Sequence, residues 1–328
     1  MIDKLKIHAI TQISAPAPHA AFTDLCADPF DTSAPSLFCT YREADTHVSP
    51  NGKIIVVHIN RNTLQPMHSV AIEISGTDLR DPKFSFDGER LIITAYAKTV
   101  LDDGSLSRRM VSYSSDKGLS WSEPHHFGDD TWWIWNCDWF KKTAYGFAYN
   151  RKAEFISLYK GNPLQSMELY QKNVFGLEKS GKGYPNESAL LFDKRGNAFV
   201  FLRRDADTFS AQFGHSTPPY LNWEWHDLGI YIGGPAAVFL GEGKFLVSGR
   251  HVDWETRSFS TRIWHFDVKL KKLTELITLP SGGDTSYPGL VLNDDILYVS
   301  YYSSHCDEEA RVYLAKLSGV SALQNSKT

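Results

Sequence analysis

Short apolar runs separated by turn-forming residues fill this chain, and no stretch keeps helical spacing for long. Around Glu187 the pattern is clearest. An apolar run at residues 189–192 leads into Asp193-Lys194-Arg195-Gly196-Asn197, a Gly-containing turn. A second run at 198–202 follows and ends on Arg203 and Arg204. Paired as an antiparallel hairpin, the two runs bring Glu187 and the arginines to the same end of adjacent strands. Similar hairpins begin at Asp81, near Asn136, at Pro235 and at Tyr287. With Glu187 in its place, successive starts are 55, 51, 48 and 52 residues apart. The second runs end at Tyr96, Asn150, Arg203, Arg250 and Tyr302. A looser unit, with an insertion near Pro35, runs from Phe22-Thr23-Asp24 to Arg42.

Six units of about fifty residues predict an all-β fold, a six-bladed β-propeller of four-stranded antiparallel blades. Third and fourth strands are expected, for example, at 109–114 with 125–127 and at 261–267 with 273–279. The last unit runs out of chain after its third strand (311–317) and ends in a polar tail, so residues 6–13 are expected to supply its outer strand and close the ring. No linker or charge run divides the chain, and 1–328 reads as a single domain.

Composition narrows the picture. Aromatic residues make up 13% of the chain, with 9 Trp, which suits strands and sugar-stacking surfaces. The net charge of −4 and the lack of a basic tract argue against a nucleic-acid partner. No export signal is visible and no apolar run approaches membrane-spanning length, so a soluble, cytoplasmic or unassigned protein without a membrane partner is expected. The four cysteines lack CxxC spacing and read as buried free thiols. His47, His251 and His305 stand near strand ends without acidic or Cys spacing, so neither a metal nor another cofactor is expected.

Ser114-Ser115-Asp116-Lys117-Gly118-Leu119-Ser120-Trp121 follows the pattern Ser-x-Asp-x-Gly-x-Ser/Thr-Trp of the Asp-box, a hairpin turn between the third and fourth strands of a blade. In such a turn Asp bonds local backbone, Gly takes a positive φ, and Trp packs back on the sheet. A worn copy runs from Ser216 to Trp223, 102 residues on, or two blade periods. With these motifs the whole chain resembles the sialidase superfamily of six-bladed propellers. The box itself is structural and argues for fold rather than chemistry.

Propeller sites lie at one end of the central channel, where first strands start and second strands end. Asp24, Asp81, Asn136 or Asp138, Glu187, Gly234 and Tyr287 hold the starts. Arg42, Glu43, Asp45, Tyr96, Asn150, Arg203, Arg204, Arg250, His251, Tyr302 and His305 stand at or just beyond the ends. The resemblance implies an exo-glycoside hydrolase for an acidic, sialic-acid-like sugar, with a carbohydrate as its partner. Tyr287 would be the nucleophile, Glu187 its activator, and Arg203 and Arg250 part of an arginine clamp on the sugar carboxylate. The family's first arginine has no match, since its slot reads Phe22-Thr23-Asp24-Leu25, and Arg42 or Arg80 is the candidate replacement. Asp45 or Asp81 would be the acid/base. Arg80-Asp81-Pro82 also resembles the blade opening of the five-bladed fructosidase and arabinanase-like hydrolases, where the Asp stabilises the transition state. Asp24, Asp81 and Glu187 could therefore form a carboxylate set for another sugar. A uronate lyase using Tyr and His, and a non-catalytic glycan-binding propeller, are the other readings. Oligomeric state is not readable.

Overall fold

The structure is a computed structural model that describes residues 5–30, 36–241 and 243–325; Pro35 in the expected insertion and Glu242 in the expected turn lie outside it. Six four-stranded antiparallel sheets form the fold. From the channel outwards, blade one is His19–Ala27, Ser36–Ala44, Lys53–Asn60 and Pro66–Ile72. Blade two is Thr77–Phe86, Leu91–Val100, Leu106–Ser115 and His125–Phe127. In blade three the inner strand is broken into Trp133–Ile134 and Asp138–Phe140, ahead of Thr143–Tyr149, Phe155–Asn162 and Ser166–Gly176. Blade four is Pro185–Phe192, Ala198–Arg204, Gln212–Ser216 and Glu224–Asp227. Blade five is Gly233–Gly241, Lys244–Asp253, Ser258–Asp267 and Lys272–Thr278. Blade six is Thr285–Asn293, Ile296–Ser303, Arg311–Ser318 and, as its outer strand, Lys6–Gln12 from the other end of the chain.

That last pairing, Lys6 opposite Ser318 through Gln12 opposite Tyr313, closes the ring as the sequence predicts. The C-terminal segment differs from the expected polar tail. It carries a short helix, Val320–Asn325, that buries Val320 and Leu323 and is held at its start by Asp295, which accepts from Gly319 N and Ser321 N.

Each blade is covered on both faces by its neighbours, so its inner strands bury both sets of side chains and read as continuous apolar runs rather than alternating ones. Ser36–Ala44 is almost wholly buried, whereas outer strand Pro66–Ile72 is mostly exposed. Apolar clusters fill the blade interfaces: Phe38, Leu79 and Val111 between blades one and two, Phe201, Val247 and Phe266 between four and five. Each such side chain contributes about 1.5–3 kcal/mol by leaving water.

Inner strands present an unpaired edge to the channel, and the neighbouring blade satisfies it. Asp24 accepts from Phe84 N (2.7 Å), Asp138 from Phe192 N (2.8 Å), and Asn136 bonds both backbone groups of Leu190. These residues line a cavity of about 260 Å³ in the half of the channel away from the strand starts.

In the turn at Ser114–Trp121 Gly118 has φ +72 and no room for a Cβ, which would meet Phe38 at 2.3 Å. The local bond expected of Asp116 is made by Ser115, whose Oγ accepts from Gly118 N at 2.7 Å. The cysteines are free; Cys39 and Cys137 are buried, Cys26 half-buried, and Cys306, contrary to expectation, exposed.

Candidate active site

One irregularity, repeated blade by blade, builds the site. Near their starts five inner strands slip register against their partners: between Ala21 and Asp24, Arg80 and Lys83, Pro185 and Ser188, Gly233 and Ala236, and Ser286 and Gly289. Blade three breaks its strand outright around Trp135. A bulge re-aims the side chain it displaces. In four blades the first bulged residue is left-handed: Phe22 (φ 61), Asp81 (φ 48), Gly234 (φ 55) and Tyr287 (φ 49). For the non-glycine residues that conformation costs about 1–2 kcal/mol each, an expense retained at this one level of the fold. Proline follows three of them, Pro82, Pro235 and Pro288, where its missing N–H leaves no channel-facing donor unsatisfied.

The bulges and adjoining loops enclose a cavity of about 220 Å³. At about 30 Å³ per water that is roughly seven waters, the scale of a single sugar ring. At its floor the Tyr287 hydroxyl donates to Glu187 Oε1 (2.7 Å) and accepts from Arg203 Nη1 (2.9 Å). Arg203 Nη1 also pairs with Glu187 Oε1 at 2.6 Å, and Glu187 Oε2 accepts from Gly234 N at 2.8 Å. Gly234 packs on the Tyr287 ring so tightly that a Cβ would stand 2.8 Å from Tyr287 Cγ. Burial, reinforced by Glu187 and opposed by Arg203 and Arg250, holds the Tyr287 phenol well above its ordinary pKa, so at neutral pH it is a hydrogen-bond donor.

Four arginines line the cavity, and three of them are each held by a carboxylate. Arg203 uses Nε and Nη2 on Asp205 (3.1 and 2.9 Å). Arg250 gives Nη2 to Asp284 Oδ1 and to the Tyr302 hydroxyl, both at 2.7 Å, and Nε to Thr285 O. Arg80 gives Nη1 to Asp78 Oδ2 (3.2 Å) and to His47 O (3.0 Å). Lys98 and Arg151 also line the cavity, so five cations face three carboxylates, Asp81, Glu187 and Asp205. Burial raises the Asp81 pKa, opposed by Arg80 and reinforced by Glu187, which shifts the balance further toward positive charge. An anion suits such a cavity.

The cavity therefore unites Tyr287, Glu187, Asp81, Arg80, Arg203 and Arg250, and leaves out four other candidates. Arg42 is fully buried outside it, bonded to Asp78 Oδ1 (2.7 Å), Thr46 O and Ser49 O. It stands behind Arg80, sharing the Asp78 carboxylate. Asp45 is exposed and engaged with Asn51. Asp24 lies two residues beyond Phe22, where pairing resumes, and serves the inter-blade edge, so blade one's true slot holds Phe22. His305 bonds Ser303 Oγ (3.0 Å) and packs on Tyr313, away from the cavity.

Tyr149, Asn186 and Asp205 also line the cavity and had no clear signal, while Trp133 and Trp135 of blade three's tryptophan cluster and His47, expected near a strand end, join them. His47 holds Asp284 Oδ2 through Nδ1 at 3.1 Å. With buried His19 these groups bring three donor atoms within 4.8 Å of one another. Asp284 is already bound by Arg250 and Tyr302, and contacts with His19 and His47 help to hold its carboxyl well below the usual range although burial opposes this. A guanidinium 2.7 Å from the carboxylate repels a second cation, so these three residues fit a hydrogen-bonded support for Arg250 better than a metal site.

The fold is a six-bladed β-propeller whose bulged strand starts build one mouth of the central channel. Among solved structures the chain is similar to a protein of unknown function from Dyadobacter fermentans (14% identity, 96% of this chain and 99% of that one, TM-score 0.77). It is similar also to an alpha-L-arabinanase of Penicillium chrysogenum solved with arabinobiose (14%, 95% and 98%, TM-score 0.69). The sialidase of Trypanosoma rangeli aligns at 12% identity over 94% of this chain and 56% of its own, with a TM-score of 0.64. No family model and no curated protein matches the sequence.

Proposed function

We propose that the protein is a glycoside hydrolase that removes an acidic sugar through Tyr287. The observation that carries this reading is the Tyr287 hydroxyl bridging Glu187 and Arg203 at 2.7 and 2.9 Å, in a cavity where cations outnumber carboxylates. In the first step Glu187 takes the phenolic proton, Tyr287 Oη bonds the anomeric carbon, and the leaving oxygen takes the Asp81 proton. In the second, Asp81 deprotonates a water, which displaces the tyrosine, and Glu187 returns its proton to Oη. A neutral phenol approaches a carboxylated anomeric centre with less repulsion than a carboxylate would. Arg203 is saturated by Asp205, Glu187 and Tyr287, so its part is to orient the pair and stabilise the phenolate. Arg250 and Arg80 are left to meet the sugar's carboxylate.

The test is turnover of a panel of aryl glycosides, sialosides and uronosides included, by wild type, Tyr287→Phe and Glu187→Gln. Both variants are expected to lose about 10²–10⁴-fold in kcat on the substrate that wild type prefers. Full turnover by either variant would sink the mechanism, and binding without turnover across the panel would favour a glycan-binding propeller.

A second reading is supported by His47, exposed at the cavity with Asp284 behind its ring. On a uronate, His47 would remove the proton α to the carboxylate and Tyr287 would protonate the leaving oxygen. An unsaturated, ultraviolet-absorbing product distinguishes this elimination from hydrolysis.

A further inference from the structure

The central cavity does not end at its own wall. Lys98, Trp133, Tyr149 and Arg151 line it and also line a second cavity, of about 470 Å³, that opens between blades two and three on the same face. Its further lining brings in Arg108 and Lys152, and no carboxylate. Lys98, Arg108, Arg151 and Lys152 have no ion-pair partner among the described residues. Asp130, close enough to Tyr96 to act on its hydroxyl, is occupied by Arg109 at 2.9 Å. Behind the charges the Trp133 ring is stacked between Tyr96 (4.2 Å, 6°) and Tyr149 (5.7 Å, 16°), a rigid aromatic wall.

Four cations without an ion-pair partner thus converge on one groove. Burial, helped by Arg80 and Arg151 and opposed by Asp78 and Asp81, brings the Lys98 pKa down to about 8. Exposed cations usually scatter or pair with carboxylates, so a concentration of one sign beside a ligand cavity is a recognition surface for the opposite sign. The groove has about twice the volume of the central cavity, enough for a sugar unit and its charged substituent.

We propose that this groove is a leaving-group subsite for an anionic sugar unit, carboxylated or sulfated, adjacent to the unit held over Tyr287. The proposal rests on the glycosidase reading for its meaning, since it makes the substrate an acidic oligosaccharide charged on both sides of the cleaved bond. Arg108 and Lys152 would contact the second charge, while Lys98 and Arg151 sit at the junction of the two units.

The test uses calorimetric binding of three disaccharides that share a non-reducing hexuronate and carry on the reducing unit a carboxylate, a sulfate or no charge, to wild type and to the Arg108→Ala/Lys152→Ala double variant. Neither replaced residue lines the central cavity, and both are exposed, so folding and turnover of an acidic aryl glycoside with an uncharged leaving group should be unchanged. Wild type should bind one or both doubly charged disaccharides at least about tenfold more tightly than the singly charged one, more weakly as salt rises, and the double variant should lose that preference. Preference for the carboxylate, the sulfate or both on the reducing unit identifies which charge is read. Equal affinity for all three disaccharides, or a preference for the second charge that survives in the double variant, would overturn the subsite. Because binding is read without turnover, the subsite can stand although no glycoside is cleaved, and the glycosidase reading can stand although the groove is indifferent to charge.

Discussion

Replacing Gly234 by alanine perturbs the nucleophile without replacing any group that moves a proton. At φ +55 a Cβ costs about 1–2 kcal/mol of backbone strain. It would also stand 2.8, 2.9 and 3.0 Å from Cγ, Cδ1 and Cδ2 of Tyr287, so the ring must retreat by several tenths of an ångström to reach ordinary contact. The same residue donates its N–H to Glu187 Oε2, so the shift falls on both halves of the 2.7 Å Tyr287–Glu187 bond. Misplacement approaching 1 Å costs on the order of 10²-fold in rate. Gly234→Ala should therefore lower kcat about 10- to 100-fold. KM on the same aryl glycoside should change little, because Arg80 and Arg250 stay in place. Melting should fall by only a few degrees, at about 2–4 °C per kcal/mol. A variant with the lower melting point and undiminished kcat would show that Gly234 merely relieves strain and that the Tyr287–Glu187 geometry is not rate-determining.

Arg42→Met separates support from contact. It leaves Asp78 short of a buried partner and two loop carbonyls without donors, and should destabilise the protein by about 3–5 kcal/mol in denaturant titration. Arg80→Met should instead raise KM for an acidic glycoside with a smaller loss of stability. An Arg42 variant of normal stability but raised KM would place Arg42 in the site after all. Asp138, whose pKa burial raises to about 6 against the backbone bonds from Phe192 and Trp139, binds its proton more tightly in the folded state. Its stabilising contribution is complete below the ordinary value of 3.8 and is lost as pH rises through about 6. Asp138→Asn, which keeps an acceptor for Phe192 N, should thus melt higher than wild type above pH 6, with the gap closing in acid. A gap that widened in acid would reverse the sign of this argument.

The propeller was legible in the sequence because blades cover each other on both faces, and that burial writes unbroken apolar runs at a fixed period. Much of the cavity was legible for a related reason: Asp81-Pro82, Gly234-Pro235 and Tyr287-Pro288 mark the bulge level in three blades. Blade one has Phe22-Thr23 there, with no proline to mark it, and the nearest carboxylate, Asp24, drew attention two residues too far along. The arginines were ambiguous for a different reason. Arg42, Arg204 and Arg250 occupy the same register, opposite Ala21, Pro185 and Gly233. Beyond the last paired residue, however, the following loop sets the surroundings. Loops wrap Arg42 and Arg204 completely, whereas Arg250 faces the cavity, and strand alternation carries no record of that difference. Asp284 was hidden because it holds Arg250 on another blade's strand end, and Asp205 because only the loop after Arg204 turns its carboxylate back onto Arg203.

The central claim is that Tyr287 forms the bond to sugar. A fluorinated, activated form of the preferred glycoside, added to wild-type protein and followed by intact-mass and peptide mapping, tests it most directly. The account predicts a single sugar adduct on Tyr287, absent from Tyr287→Phe and slow to form in Glu187→Gln. An adduct on Glu187 or Asp81 would contradict it.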